Sequence, residues 1–256
     1  MTDGRRTFKT FTLRERPELE GEFERLATEG WPVFLRQRDA LGLGAHWPAL
    51  FGEFADWQVL VCDSFDRVVA AGHGVPLTWD GTPADLPDSI AAILARALAT
   101  RGERRRPTAL SAPAALVDAR HRGLGLSRVV LESMLAAARR WSFAALVAPV
   151  RPTLKSAYPL VAMERYVEWR DEEDLPIDPW MRVHARLGAE ILRVIPRALV
   201  IVGRVAEWEK WTAMSFPDSG AYVVPGALQP VAIDRETDEG RYEDPNVWMR
   251  HPLRGT

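Results

Sequence analysis

Apolar positions along this chain change their period several times, and each change marks an element. Residues 7–13 (Thr7-Phe8-Lys9-Thr10-Phe11-Thr12-Leu13) alternate imperfectly, and their Phe and Thr content suits a strand. Pro17 opens a helix carrying Leu19, Phe23 and Leu26 at helical spacing, with Gly30 and Pro32 as stop signals. Residues 31–56 are rich in Trp, Gly and Phe, and Leu43, Trp47, Leu50, Phe51 and Phe54 predict one or two short helices there. Residues 57–62 and 67–77 read as a hairpin closed by the turn Asp63-Ser64-Phe65-Asp66. Asp88 or Ser89 caps a helix whose apolar face is Ile90, Ile93, Leu94, Ala97 and Leu98, ending at Gly102. Residues 107–117 predict a buried strand. Residues 123–141 predict a helix with Leu126, Val129, Val130, Met134, Ala137 and Trp141 along one face, and residues 143–150 a central strand.

Strand, helix and strand in that order form a βαβ unit with parallel strands and a right-handed crossover. The earlier hairpin makes the rest of the sheet antiparallel. The predicted class is therefore α+β, with a mixed, mostly antiparallel sheet flanked by helices. The last hundred residues are less regular. A helix is predicted over 178–188, strands over 189–195 and 198–205 broken by Pro196, and a short helix over 208–214. Residues 222–224 and 231–234 pair late, and the tail 242–249 packs back on the domain. No flexible linker or repeat divides the chain, so residues 1–256 read as a single domain with an enlarged C-terminal part and its clearest core over 57–158.

Composition is that of an ordinary folded protein, with 47% hydrophobic and 27% charged residues. With 33 basic and 35 acidic residues, nothing favours nucleic acid or an anionic membrane as partner. Arg101, Arg104, Arg105 and Arg106 form one basic run, read as a solvated link between helix and strand. The single cysteine, Cys62, lies in an apolar run and reads as a buried strand residue. No signal peptide or apolar span is visible, so a cytoplasmic location is expected. Ten tryptophans are more than one core takes up, so some are expected at a pocket or at an interface between copies, as in a homodimer.

The most informative segment is Arg120-His121-Arg122-Gly123-Leu124-Gly125, where a buried strand meets a helix N-terminus. Two glycines permit unusual backbone angles and let successive N–H groups face one anion. The helix dipole adds partial positive charge there. A P-loop needs a lysine after its second glycine, and none follows here. A dinucleotide fold wants a third glycine where this chain has Arg128, and wants the turn on the first strand of the domain.

What remains, Arg-x-x-Gly-x-Gly, resembles the motif of the GCN5-related N-acetyltransferase (GNAT) superfamily, and the order of elements around it is similar to that family's. The resemblance covers residues 57–158 well, 7–30 fairly, and the rest loosely. It implies an acyltransferase that uses acetyl-CoA or another acyl-CoA as co-substrate, with no metal. The strand before the turn would hold the pantetheine arm through Ala115, Leu116 and Val117. The turn (Arg120, His121, Arg122, Gly123, Leu124, Gly125, Leu126, Ser127) would hold the pyrophosphate. The acceptor would be an amine of a small molecule or peptide, attacking the thioester directly. Transfer of a longer acyl chain and a coenzyme A-binding sensor without turnover remain as alternatives.

The family's acid is a tyrosine in the segment after its fifth strand, which here matches Tyr158; the same position also suits a core or rim tyrosine. Arg151-Pro152 stands where the family has asparagine, and Pro159 shortens any helix there. Residues 159–179 read as an insertion rich in acid. It is either a solvated loop or a lid supplying the base, for which Glu164 and Glu168 are the candidates. His73 and His184 read first as structural histidines. No His/Cys/Asp/Glu spacing supports a metal site, and Ser111 and Ser127 lack the setting of a hydrolase nucleophile.

Overall fold

A computed structural model describes residues 8–253; Thr7, the first residue of the expected opening strand, lies outside them. The strands are β1 (Lys9–Thr12), β2 (Val59–Cys62), β3 (Val68–Leu77), β4 (Ala109–Val117), β5 (Ala145–Val150), β6 (Glu190–Gly203), β7 (Gly220–Tyr222), β8 (Val231–Asp234) and β9 (Glu239–Pro252). The helices are α1 (Gly21–Gly30), α2 (Leu43–His46), α3 (Ile90–Gly102), α4 (Leu126–Arg140), α5 (Met163–Tyr166), α6 (Pro179–Arg186) and α7 (Val205–Thr212). One sheet runs β1-β2-β3-β4-β5-β9-β8-β7, with β6 on the other edge of β9. Among the described residues only β4 and β5 pair in parallel; their neighbours are antiparallel, as the mixed sheet predicted requires.

Alternation along the strands divides the core into layers. Leu146, Ala148 and Val150 of β5 face α4 with Val130, Leu131 and Met134. Ala145 and Val147 face the opposite side, under Ile90, Ile93, Leu94 and Ala97 of α3. Phe23 and Leu26 of α1 cover Leu60, Ala71 and Leu116. A fourth cluster, around Phe34, Trp208, Phe216 and Tyr242, anchors the C-terminal half. Gly72 of β3 sets the spacing of α4, since a Cβ there would meet Val130 Cγ1 at 2.5 Å. The buried face of α4 includes Leu131, Leu135 and Ala138, whereas Trp141, expected on that face, is 58% exposed beyond the helix end.

Two expectations from the C-terminal half change. Pro196 does not divide a strand: β6 is continuous, and the register slips between Ile195/Asn246 and Leu199/Asp244. The extra residues sit in a bulge, where a proline needs no ladder hydrogen bond. The tail, expected to pack back on the domain, is β9 itself, inserted between β5 and β6. Its charged residues hid the strand. Asp244 is fully buried there because Arg151 neutralises it.

Candidate active site

The site begins where β4 and β5 part. Their pairing covers only Ala109↔Ala145, Leu110↔Leu146 and Ser111↔Val147. A bulge in β4 follows at once, between His73↔Ala114 and Val75↔Ser111 on the β3 side. It bends β4 away from β5. Pro113 and Pro149, one in each diverging stretch, each lack the amide that a ladder would use. The β4 edge from 112 to 117 therefore faces a gap instead of a partner strand.

That gap opens into a cleft of about 1220 Å³. Ala112 to Val117, Ala148 to Arg151, and Val130, Leu131 and Met134 of α4 line it, with Arg122 and Ser127 at one end. At the other end stand Phe23, Trp31, Trp47, Phe51 and His73, with Glu20 and Glu24 at the rim. The cleft thus passes through the sheet at the splay and joins the turn to an aromatic chamber under α1.

In the turn, Gly123 and Gly125 take φ of +80° and +75°, the left-handed region that favours glycine. Gly125 is the N-cap of α4 and offers no side-chain acceptor. Amides 123–127 make no hydrogen bond among the described residues. Five unpartnered amides at a helix N-terminus form an anion-binding nest. Buried Asp118 fixes the approach to it. Its carboxylate accepts from the Arg120 amide at 2.9 Å and from Arg120 Nη2 at 2.7 Å, and it pairs with Arg25 of α1. These hydrogen bonds from Arg120 hold the Asp118 carboxyl well below the usual carboxylate range. Arg120 is thereby committed to Asp118, His121 leans on the same carboxylate at 3.4 Å, and Leu124 projects outward; of the two arginines, Arg122 lines the cleft.

The far wall carries a polar network that the sequence did not announce. Arg151 donates to Asp244 through Nε and to the Gly226 carbonyl through Nη2 at 2.8 Å. Tyr242 donates to Asp244 at 2.6 Å, and its oxygen accepts from the Leu228 amide. Burial beside that carboxylate pushes the Tyr242 phenol far up. Asn246 donates to the Pro149 carbonyl at 3.1 Å while its Oδ1 is buried without a partner. Arg151, Asp244 and Asn246 all line the cleft. The one signal in the sequence is Arg151-Pro152 directly after an apolar strand.

Tyr158 and Glu164 are not among the cleft-lining residues. A single 3-10 turn, Lys155–Ala157, follows β5, and Lys155 Nζ holds the Tyr158 carbonyl at 2.8 Å. The Tyr158 ring lies edge-on to Trp169 at 5.0 Å and is 40% exposed. Glu164 is exposed on α5. Three acidic residues of 159–179 pair with arginine: Glu168 with Arg165, Asp171 with Arg182, Glu173 with Arg186. Both histidines read as structural line the cleft, and His184 Nδ1 lies 2.9 Å from His251 Nε2. The tryptophans spread over several places: Trp208 and Trp248 in separate cores, Trp31, Trp47 and Trp180 on the cleft.

A splayed parallel pair, an amide nest after its first strand and a cleft through the sheet define a coenzyme A-dependent acyltransferase fold. No family model matches the chain. It is 33% identical over 226 residues, 78% of this chain and 77% of the relative, to the arginine N-acetyltransferase avaD of Aspergillus versicolor. Its fold is similar to the loading GNATL domain of CurA from Lyngbya majuscula, with a TM-score of 0.57, 14% identity and 98% of each chain covered. It is also similar to the GNAT-like decarboxylase GphF in complex with isobutyryl-CoA, with a TM-score of 0.60, 18% identity and 97% and 100% of the two chains covered. The chain belongs to the GNAT superfamily, and it moves an acyl group from acyl-coenzyme A to an amine.

Proposed function

We propose that this protein transfers an acetyl group from acetyl-CoA to an amine of a small cationic acceptor, arginine or a close analogue. The observation that carries this reading is the continuity of the cleft. An anion nest at one end, a free strand edge in the middle and an acid-rimmed aromatic chamber at the other end match the parts of such a pair of substrates.

On the donor side, amides 123–127 with Arg122 hold the pyrophosphate. The free edge of β4, Ala115 to Val117 among it, takes the pantetheine arm as an added strand would be taken. The thioester then lies near the bulge. On the acceptor side, Glu20 and Glu24 are one helical turn apart at the rim, exposed, and without an ion-pair partner among the described residues. They attract a cation, and the rings of Phe23, Trp31 and Trp47 favour it further. The relative's activity on arginine supports this class of acceptor. The amine nitrogen attacks the thioester carbon, the C–N bond forms and the C–S bond breaks. The nitrogen gives up one proton as the amide forms, and the leaving thiolate takes up one, so that the amide and the free coenzyme A thiol result.

Thiol release from acetyl-CoA, measured across arginine, agmatine, lysine and neutral amino acids, tests the reading. Arginine or agmatine is expected to exceed neutral amines in kcat/KM by about tenfold or more, one well-placed charge interaction. Equal rates with neutral amines would sink the acceptor assignment. A donor series from acetyl to longer acyl groups, with rates falling as the chain lengthens, separates acetyl transfer from long-chain transfer.

A further inference from the structure

His73 lies on β3 opposite Ala114, beside the bulge where β4 leaves β5. It is almost wholly buried yet lines the cleft. Phe23 stacks on it at 4.7 Å, and Trp47 and Phe51 meet it edge-on. Its Nδ1 is 2.8 Å from Gln58 Oε1.

The partners of Gln58 decide the tautomer. Gln58 Nε2 donates to two backbone carbonyls, Phe54 at 2.7 Å and Gly74 at 2.9 Å. Both amide protons are used, so Oε1 can only accept. The proton between Gln58 and His73 therefore sits on Nδ1 of the imidazole, and Nε2 carries the lone pair. Among the described residues nothing donates to that Nε2. Burial keeps the ring neutral, with its pKa drawn down to about 3. Gln58 is itself fully buried, so the arrangement is rigid.

We infer that His73 Nε2 accepts a hydrogen bond from the attacking amine and aims the nitrogen lone pair at the thioester, with Gln58 as the positioning residue that fixes the ring's tautomer. A neutral acceptor in an aromatic chamber receives the amine in its unprotonated form, which is the form able to attack. Glu20 and Glu24 at the rim then serve the distal cation, and His73 serves the reacting end. This rests on the acceptor reading above.

The test combines kinetics with nitrogen NMR of the imidazole. His73→Phe keeps the aromatic packing and removes the lone pair. It is expected to lower kcat by roughly 100-fold, the cost of a misplaced reactant, with acetyl-CoA affinity unchanged. His73→Gln, whose amide oxygen can accept an N–H, should recover part of that loss. Long-range proton–nitrogen spectra of the wild type should show protonated Nδ1 and bare Nε2, and Gln58→Leu should mix the tautomers while lowering kcat more than it raises KM. Turnover of His73→Phe within about threefold of wild type, or a wild-type ring protonated on Nε2, overturns the inference. If the wild type prefers neutral amines, the cationic-acceptor reading fails alone, and His73 is judged on the preferred amine. If no amine is turned over, the tautomer decides.

Discussion

Arg151 and Asp244, 93 positions apart in the chain, meet on the wall of the cleft with Arg151 Nε 3.1 and 3.0 Å from the two carboxylate oxygens. Arg151 follows the last residue of β5 and Asp244 lies on β9, the strand that pairs with β5. Tyr242 and the Gly226 carbonyl complete the pair's hydrogen bonds.

Removing one partner should therefore cost more than removing both. Asp244→Ala leaves a guanidinium unpaired in a buried setting, for an expected loss of about 3–5 kcal/mol in urea unfolding. The double variant Arg151→Met with Asp244→Leu should recover most of that stability and still lack activity, because the cleft wall has lost its polar groups. A double variant no more stable than Asp244→Ala would contradict this account.

Gly125→Val tests the nest. A β-branched residue at φ +75° strains the turn by about 1–3 kcal/mol and tilts the free amides. Gly123→Asp adds a carboxylate beside the proposed position of the pyrophosphate. Each is expected to weaken acetyl-CoA binding by tenfold or more, on the order of 1.4 kcal/mol, as read by calorimetry. Unchanged affinity in both would remove the turn from the donor site.

Gly72→Ala probes the seat of α4. The added methyl meets Val130 Cγ1 at 2.5 Å, and a β-branched neighbour cannot swing aside. Overpacking of this kind costs about 1–3 kcal/mol. Because α4 carries the nest, KM for acetyl-CoA should rise with the loss of stability. A thermal melt and a donor titration measure the two effects.

Acid should destabilise the fold early. Burial lowers the pKa values of His73 to about 3 and His251 to about 4, and that of His184 well below the ordinary 6.5. Each folded value lies below the unfolded one, so the unfolded chain takes up protons first as pH falls. Stability from these groups is complete above about pH 6.5 and declines below it, until the folded values are reached. At about pH 5 the expected loss is about 2 kcal/mol for each of His73 and His251. Denaturant melts across pH 7 to 4 check this, and His251→Gln should flatten part of the slope.

Tyr158→Phe should leave kcat within about threefold of wild type, since only a group held at the reacting atoms contributes selectively to the transition state. The ring stands against Trp169, outside the cleft lining. A large fall in kcat with unchanged acetyl-CoA affinity would return Tyr158 to the acid role.

Elements with clean periodicity were legible in the chain. Ser89 caps α3 as one of the two expected residues, and β4, α4 and β5 fall where apolar spacing predicted them. The glycines at 123 and 125 announced a left-handed turn, because few other residues accept such angles. The strand β9 was not legible. Arg241, Glu243, Asp244 and Arg250 interrupt its pattern; Arg241 and Glu243 pair with each other along β9, Arg151 after β5 meets Asp244, and Glu190 of β6 meets Arg250.

The sequence by itself determined the turn to which we assign the donor. A strand, two glycines and a helix start are local features, and their backbone geometry suffices to make an anion nest. The proposed acceptor end was decided by tertiary structure alone. His73 with Gln58 and Arg151 with Asp244 are contacts between distant segments. Their chemistry depends on burial, tautomer and charge pairing, which no local spacing encodes.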